Sequence, residues 1–362
     1  MKTRAGKILL VLAGIILAFI LAEILVRVFL PQNKMVTWIE MHPRGFMMNQ
    51  SDIEALHEFD DRTLRYQFNE WGLRGNKKIQ QDDINILLLG DSFTFGLLLN
   101  QQATYASLLQ DRLHANFPSA DFQILNGGIG GTGLADWPGW LNQKGESISP
   151  DIIILYLNYM DVDRALSKNL YVVEDSKLQN SIRWKPRKIF MSLGRMGWYR
   201  WLQEHSELTN ILVKLAWRDL YFSDQTDNFS QQNSQVLIPP ADAFDPKSGY
   251  SLQLAKLLTE QLQIWCEQNG CRFILTTTGF FDENSTGAHT FSYYKSLVNE
   301  TPENIYFFDN TPCVHEQTQG DFDNIRIPGD SHPNERGAQI IADCSWNWLQ
   351  PFMEKEVISH EN

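Results

Sequence analysis

A serine, a histidine and a carboxylate stand in two short motifs near opposite ends of this chain. The first motif is Gly90-Asp91-Ser92-Phe93-Thr94-Phe95-Gly96, directly after the apolar run 84–89. Such a short run ending at a glycine reads as one buried strand. Open α/β sheets hold their ligands at the carboxyl ends of strands. Ser92 in a turn there can turn its hydroxyl and its own N–H toward one cavity; alone, it serves equally well as a turn or helix cap. The second motif is Gly329-Asp330-Ser331-His332-Pro333-Asn334-Glu335-Arg336-Gly337. Imidazole is the usual group that removes a serine proton near neutral pH. Asp330 is placed to fix the tautomer of His332 and to stabilise the imidazolium. A third motif, Asn126-Gly-Gly-Ile-Gly-Gly-Thr-Gly133, follows a second apolar run. Acyl transfer builds negative charge on a carbonyl oxygen, and glycines let backbone N–H donors approach it closely. The motif lacks the Lys-Ser/Thr ending of a phosphate-binding loop.

The elements between these motifs set the positions. Residues 84–89, 122–125, 151–157, 272–277 and 305–308 read as strands. Residues 102–116, 134–145, 251–268 and 335–349 read as helices. Strands alternating with helices predict a parallel sheet covered on both faces. Residues 162–247 break the rhythm. They are rich in aromatics, with a helix over 206–220, loop elsewhere and a polar, mobile stretch over 223–236. This insertion between the third and fourth strands is a packed subdomain, an acyl- or glycan-binding lid, or a second contact with a membrane surface. The predicted boundaries are an anchor at 1–32, a membrane-proximal segment at 33–82, a catalytic domain at 83–352 and a tail at 353–362.

The anchor is predicted from an apolar stretch beginning at Ile8, preceded by Lys2, Arg4 and Lys7 and interrupted only by Glu23 and Arg27. About 23 apolar residues suffice to cross a hydrocarbon core of roughly 30 Å. The early cations keep the N-terminus cytoplasmic and put the rest outside a bacterial inner membrane. Alternative readings are a cleaved signal peptide and a buried core helix. The 362 residues carry a formal net charge of −12, which argues against a nucleic-acid partner. Outside the cytoplasm, disulfides are permitted. Pairing Cys266 with Cys271 and Cys313 with Cys344 is one of three connectivities, and four free thiols is the other option. No Cys/His spacing has the pattern of a metal site, and no cofactor is expected.

Gly90-Asp91-Ser92, the Asn126-x-Gly-x-x-Gly131 loop and Asp330-x-His332-Pro333-Asn334 together resemble the blocks of the SGNH/GDSL hydrolase family. Asn69-x-x-Gly-Leu-Arg-Gly75 upstream is similar to the membrane-anchored bacterial branch of that family. The resemblance covers about residues 69–161 and 250–350. It implies a three-layer α/β/α, flavodoxin-like fold. It also implies Ser92 as nucleophile and first oxyanion donor, Gly131 as second donor, and His332 as base oriented by Asp330. Two departures stand out. The family's third-block asparagine falls on Met160, and the nearest asparagine is Asn158; either a bulged loop lets Asn158 serve as oxyanion donor, or that donor is missing. The acid lies two residues before the histidine rather than three, a spacing that resembles extracellular polysaccharide acetyl-transfer enzymes.

The expected function is serine-dependent hydrolysis of O-acyl, chiefly acetyl, groups on an envelope or exported glycan. The same residues leave open an O-acyl transferase or lipid esterase. They also leave open a non-catalytic glycan-binding or assembly factor on a degenerate hydrolase fold.

Overall fold

A computed structural model describes residues 2–76, 78–80, 82–181, 193–222, 239–240, 242–245, 249–280 and 306–360. The polar stretch 223–236 lies outside the described residues. The chain opens with a 28-residue helix, α1 (Lys2–Phe29). Two short pairs of strands follow: β1 (Ile39–Met41) with β2 (Met47–Asn49), then β3 (Ile53–Phe59) with β4 (Arg62–Phe68). The alternating part begins with β5 (Ile84–Gly90), α2 (Ser92–Phe95), α3 (Tyr105–Asn116) and β6 (Phe122–Asn126). A continuous helical stretch comes next: α4 (Asp136–Trp140), a π-helical turn (Leu141–Gly145) and α5 (Glu146–Ile148). It leads to β7 (Ile152–Leu157), α6 (Asp161–Lys168), and the paired strands β8 (Tyr171–Glu174) and β9 (Lys177–Asn180). Then come α7 (Gly197–His205), α8 (Glu207–Phe222), α9 (Tyr250–Asn269), β10 (Arg272–Thr277), β11 (Tyr306–Phe308), α10 (Thr311–Thr318) and α11 (Glu335–His360).

Five strands form one parallel sheet in the order β11-β10-β7-β5-β6. In chain order this is 2-1-3-4-5, the flavodoxin-like arrangement. Side chains alternate across a strand, and both faces are covered. Leu87, Leu89, Leu125, Ile153, Leu155 and Leu275 join a core with Trp137 and Trp140 of α4 and Leu254, Leu258 and Leu262 of α9. Ile86, Leu88, Ile124, Ile152, Ile154 and Ile274 join a second core with Tyr105 and Leu109 of α3 and Ile340 and Ile341 of α11. Burial on both faces is why the strand sequences are continuous apolar runs rather than alternating ones. The result is a three-layer α/β/α domain.

Compactness divides the chain into two units. The larger comprises Trp38–Glu54, Tyr66–Met191 and Gln235–Asn362 and holds the sheet; the smaller comprises Met1–Thr37, Ala55–Arg65 and Ser192–Ser234. The segment read as 33–82 therefore contributes to both units. The insertion is more regular than the single helix the sequence predicts. It begins with α6, carries the β8–β9 hairpin, and has α7 ahead of α8. Short elements escape a reading based on long periodic runs. The final helix also continues past the expected end at residue 349, through Pro351. A proline removes one intrahelical hydrogen bond, and burial of Phe352 and Met353 directly beyond it offsets that loss.

Both described disulfides are intramolecular, Cys266–Cys271 and Cys313–Cys344, with no free cysteine among the described residues. The first links the end of α9 to the start of β10. The second ties α10 to α11, closing a 31-residue separation that contains Asp330 and His332.

Candidate active site

The strand order reverses at β5: β6 lies on one side of it and β7 on the other. The crossover from β5 to β6 and that from β7 to β10 run in opposite directions on opposite faces of the sheet, opening a crevice at the carboxyl end of β5. Ser92 stands there as the first residue of α2. Gly90 makes the exit from the strand, with φ of +155°; a Cβ on it would lie 2.0 Å from Thr94 Oγ1 and 2.9 Å from the Tyr156 carbonyl oxygen. Asp91 caps α2 by accepting the Phe93 N–H at 2.9 Å. The N–H of the first helical residue has no intrahelical acceptor, so that of Ser92 is left for the crevice.

His332 reaches the same point from the far end of the sequence. Its Nε2 lies 2.7 Å from Ser92 Oγ. Its Nδ1 is hydrogen-bonded to Asp330 Oδ1. The same Oδ1 accepts the backbone N–H of His332 at 2.8 Å. That is an Asx turn, which joins an acid to the N–H two residues on. The two-residue spacing, unusual by comparison with the resembling blocks, is thus what the turn requires. The loop is closed by Ile327 N–H to the His332 carbonyl and Asp330 N–H to the Ile327 carbonyl, both 2.9 Å. Asn334 caps α11 through the Gly337 N–H at 3.0 Å. The Phe93 ring packs 5.2 Å from the imidazole.

The glycine-rich loop after β6 lies against α2. A Cβ on Gly128 would fall 2.1 Å from the Phe95 amide nitrogen, so only glycine admits this approach. Asn126 holds the two together, donating from Nδ2 to the Thr94 carbonyl and accepting the Gly128 N–H at Oδ1, both 3.0 Å. Gly131 (φ +76°) is at the exposed lip. A side chain begun at Gly130 would stand 3.3 Å from Ile39 Cδ1 and 3.9 Å from Ser92 Cβ; one begun at Gly131 would stand 3.6 Å from Met47 Sδ. Strands β1 and β2 therefore wall the crevice closely.

Asn158 is the first residue past β7. Because Gly90 and Tyr156 are register partners, it lies across from Ser92. Its Nδ2 donates to Asp91 Oδ2 at 3.0 Å, and its Oδ1 accepts the Tyr159 N–H at 2.7 Å. Met160, in the position where the family's asparagine was sought, is exposed at the foot of α6. An amide nitrogen carries two protons, and the Asp91 contact uses one of them.

Sequence reasoning missed the shell beneath these groups. Asp91 is buried, and its Oδ2 also receives Arg164 Nη1 at 2.7 Å. Asp161, which accepts the Asn158 N–H at 2.8 Å, is fully buried. Desolvation and the nearby Asp91 charge push its carboxyl well above the ordinary carboxylate range, against the pull of Arg164. The i,i+3 spacing of Asp161 and Arg164 at a helix start was the available signal. Arg74, from the Asn69–Gly75 motif, is buried with no carboxylate partner among the described residues. It donates to the carbonyls of Phe95, Gly96 (2.6 Å) and Leu99 (2.5 Å) and lies over the Tyr66 and Phe95 rings. Burial lowers its pKa to about 10. It acts as a cation at the carboxyl end of α2, where the helix dipole favours positive charge. Among the described residues, no group of three or more His, Cys, Asp or Glu side chains is placed to hold a metal ion.

A flavodoxin-like sheet with a hydrogen-bonded Ser–His–Asp set at its switch point is thus the class that fold and site define. No protein-family model matches the sequence, and a comparison with curated proteins finds no match. Solved structures that align with it include LAE5, an alpha/beta hydrolase from the metagenome of Lake Arreo, Spain, at 15% identity and TM-score 0.43, covering 73% of this chain and 93% of that one. The acetylxylan esterase Axe2 from Geobacillus stearothermophilus aligns at 16% identity and TM-score 0.41, covering 75% and 95%. The psychrotrophic esterase EstA from Pseudoalteromonas sp. aligns at 12% identity and TM-score 0.40, covering 75% and 100%.

Proposed function

We propose that this chain is an SGNH-type serine ester hydrolase that removes small acyl groups, acetyl above all, from an envelope or exported glycan. The observation that carries the reading is the 2.7 Å contact between His332 Nε2 and Ser92 Oγ, with Asp330 held on Nδ1. His332 takes the Ser92 proton as Oγ attacks the ester carbonyl. The Ser92 and Gly131 N–H groups and the second Asn158 Nδ2 proton bind the oxyanion. His332 returns the proton to the leaving sugar oxygen, then draws a proton from water as water attacks the acyl-enzyme and passes it to Ser92 Oγ as the Oγ–acyl bond breaks and the acid departs. Ile39 and Met47 leave little room beside the glycine loop, which supports a short acyl chain.

The site faces the outside of a bacterial inner membrane in this reading, with α1 as a single-pass anchor. The helix Gly6–Phe29 holds an 18-residue window of mean hydropathy 3.0, none of it buried, and is long and apolar enough to cross a bilayer. Only an activated serine reacts with a fluorophosphonate, so labelling of the purified full chain tests the proposal. The adduct is expected on the peptide containing Ser92, and Ser92→Ala should remove both the adduct and acetyl-ester turnover. An unlabelled Ser92, or full turnover in the variant, would refute it.

A further inference from the structure

The smaller unit contains an elbow between α7 and α8 that is fastened to the last turns of α1. Glu23 accepts three hydrogen bonds there, from Ser206 Oγ at 2.8 Å and from the N–H groups of Glu207 and Leu208 at 3.0 Å each. It thereby caps the amino end of α8. Arg27 Nη2 donates both to Glu23 at 2.8 Å and to the His205 carbonyl at the end of α7, at 2.7 Å. The two ionic residues that interrupt the apolar stretch of α1 are therefore used in holding the elbow. Glu23 lies six residues before the end of α1, about 9 Å along the axis at 1.5 Å per residue. If α1 spans a bilayer, the elbow stands at the level of the lipid headgroups.

What the elbow turns outward suits that level. Trp198 and Trp201, three apart on α7 and so on one face, are each 58% exposed, and Met196 beside them is 41% exposed. On α8, Leu212 and Leu215 repeat the spacing and are half exposed. Tryptophan is enriched at the membrane–water boundary, where an apolar ring with one polar N–H is stable. The local charge agrees. In a chain of net charge −12, residues 193–200 hold Arg195 and Arg200 and no acid, the sign that anionic headgroups attract.

We infer that the α7–α8 elbow is a second, in-plane contact with the bilayer, with Trp198 and Trp201 seated among the headgroups of an anionic lipid surface. The inference rests on the reading of α1 as a membrane anchor. A lone spanning helix leaves a domain free to swivel and tilt; a helix pair lying in the surface removes much of that freedom, as interfacial helices do.

The test uses the full chain in vesicles of phosphatidylcholine and phosphatidylglycerol, a quarter of the lipid brominated high on the acyl chain. Tryptophan quenching is compared between the native protein and Trp198→Phe/Trp201→Phe, with acetyl-ester turnover as the check on folding. The expected result is that both proteins float with the vesicles, while the double variant loses most of the bromine-quenchable emission. Equal quenching in two floating proteins overturns the inference and leaves the anchor standing. Failure of the native chain to float overturns both. Protection of the two tryptophans from oxidation by a soluble oligosaccharide, without quenching by bromolipid, also overturns it and assigns the face to glycan.

Discussion

The two halves of the proposed active site are built in opposite ways. The nucleophile's half is buried and held by residues from many parts of the chain: Asp91, Asn126, Gly128, Asn158, Arg164 and Arg74 all bear on the turn that carries Ser92. The half with Asp330 and His332 is a partly exposed loop of local hydrogen bonds, in which the acid fixes the base two residues away. Precision is supplied by tertiary packing on one side and by a turn on the other. The local half should therefore fail sharply when its one acid changes, whereas the packed half should lose function in graded steps.

The largest expected effect comes from breaking the local half. Asp330→Asn keeps the shape of the turn but favours the wrong imidazole tautomer, and should lower kcat by about 10⁴-fold. Steady-state kinetics on an acetyl ester would check it, and a loss below tenfold would mean that another group orients His332. Next in size is Asn158→Ala. Removing one oxyanion donor costs about 10²–10³ in kcat with KM little changed. If kcat is unaffected, the amide serves only to hold Asp91. The smallest effect sharpens the contrast. Cys313→Ser with Cys344→Ser opens the 31-residue link around the histidine loop and should cost about 3–4 kcal/mol of stability, against about 2 for Cys266→Ser with Cys271→Ser. Urea midpoints would show the ranking, while turnover per folded molecule should stay near native, since the Asx turn forms without the bridge.

How much of this was legible in the sequence follows the same division. The sheet was legible because strands buried on both faces must be apolar along their whole length; residues 84–89 and 151–157 admit little else. Ser92 and His332 were legible as residue types that do chemistry beside turn-forming neighbours. Contacts that depend on register were not. Asn158 was legible only as one of two options for the third donor; that it faces Ser92 follows from pairing Gly90 with Tyr156, and no spacing along the chain reveals a pairing between strands. Arg74 was legible only as part of a motif, because a cation that binds carbonyls has no partner residue type to search for. The hairpin β8–β9 and helix α7 escaped because four to nine residues carry too little periodicity to separate them from loop.

Ser92 and His332 are 240 positions apart, and most of the sheet is laid down between them. A polypeptide broken off anywhere between Ser92 and His332 keeps the serine and lacks its imidazole. In the proposed mechanism such a fragment cannot cleave an ester, because the two groups meet only once the later segment has folded back across the sheet.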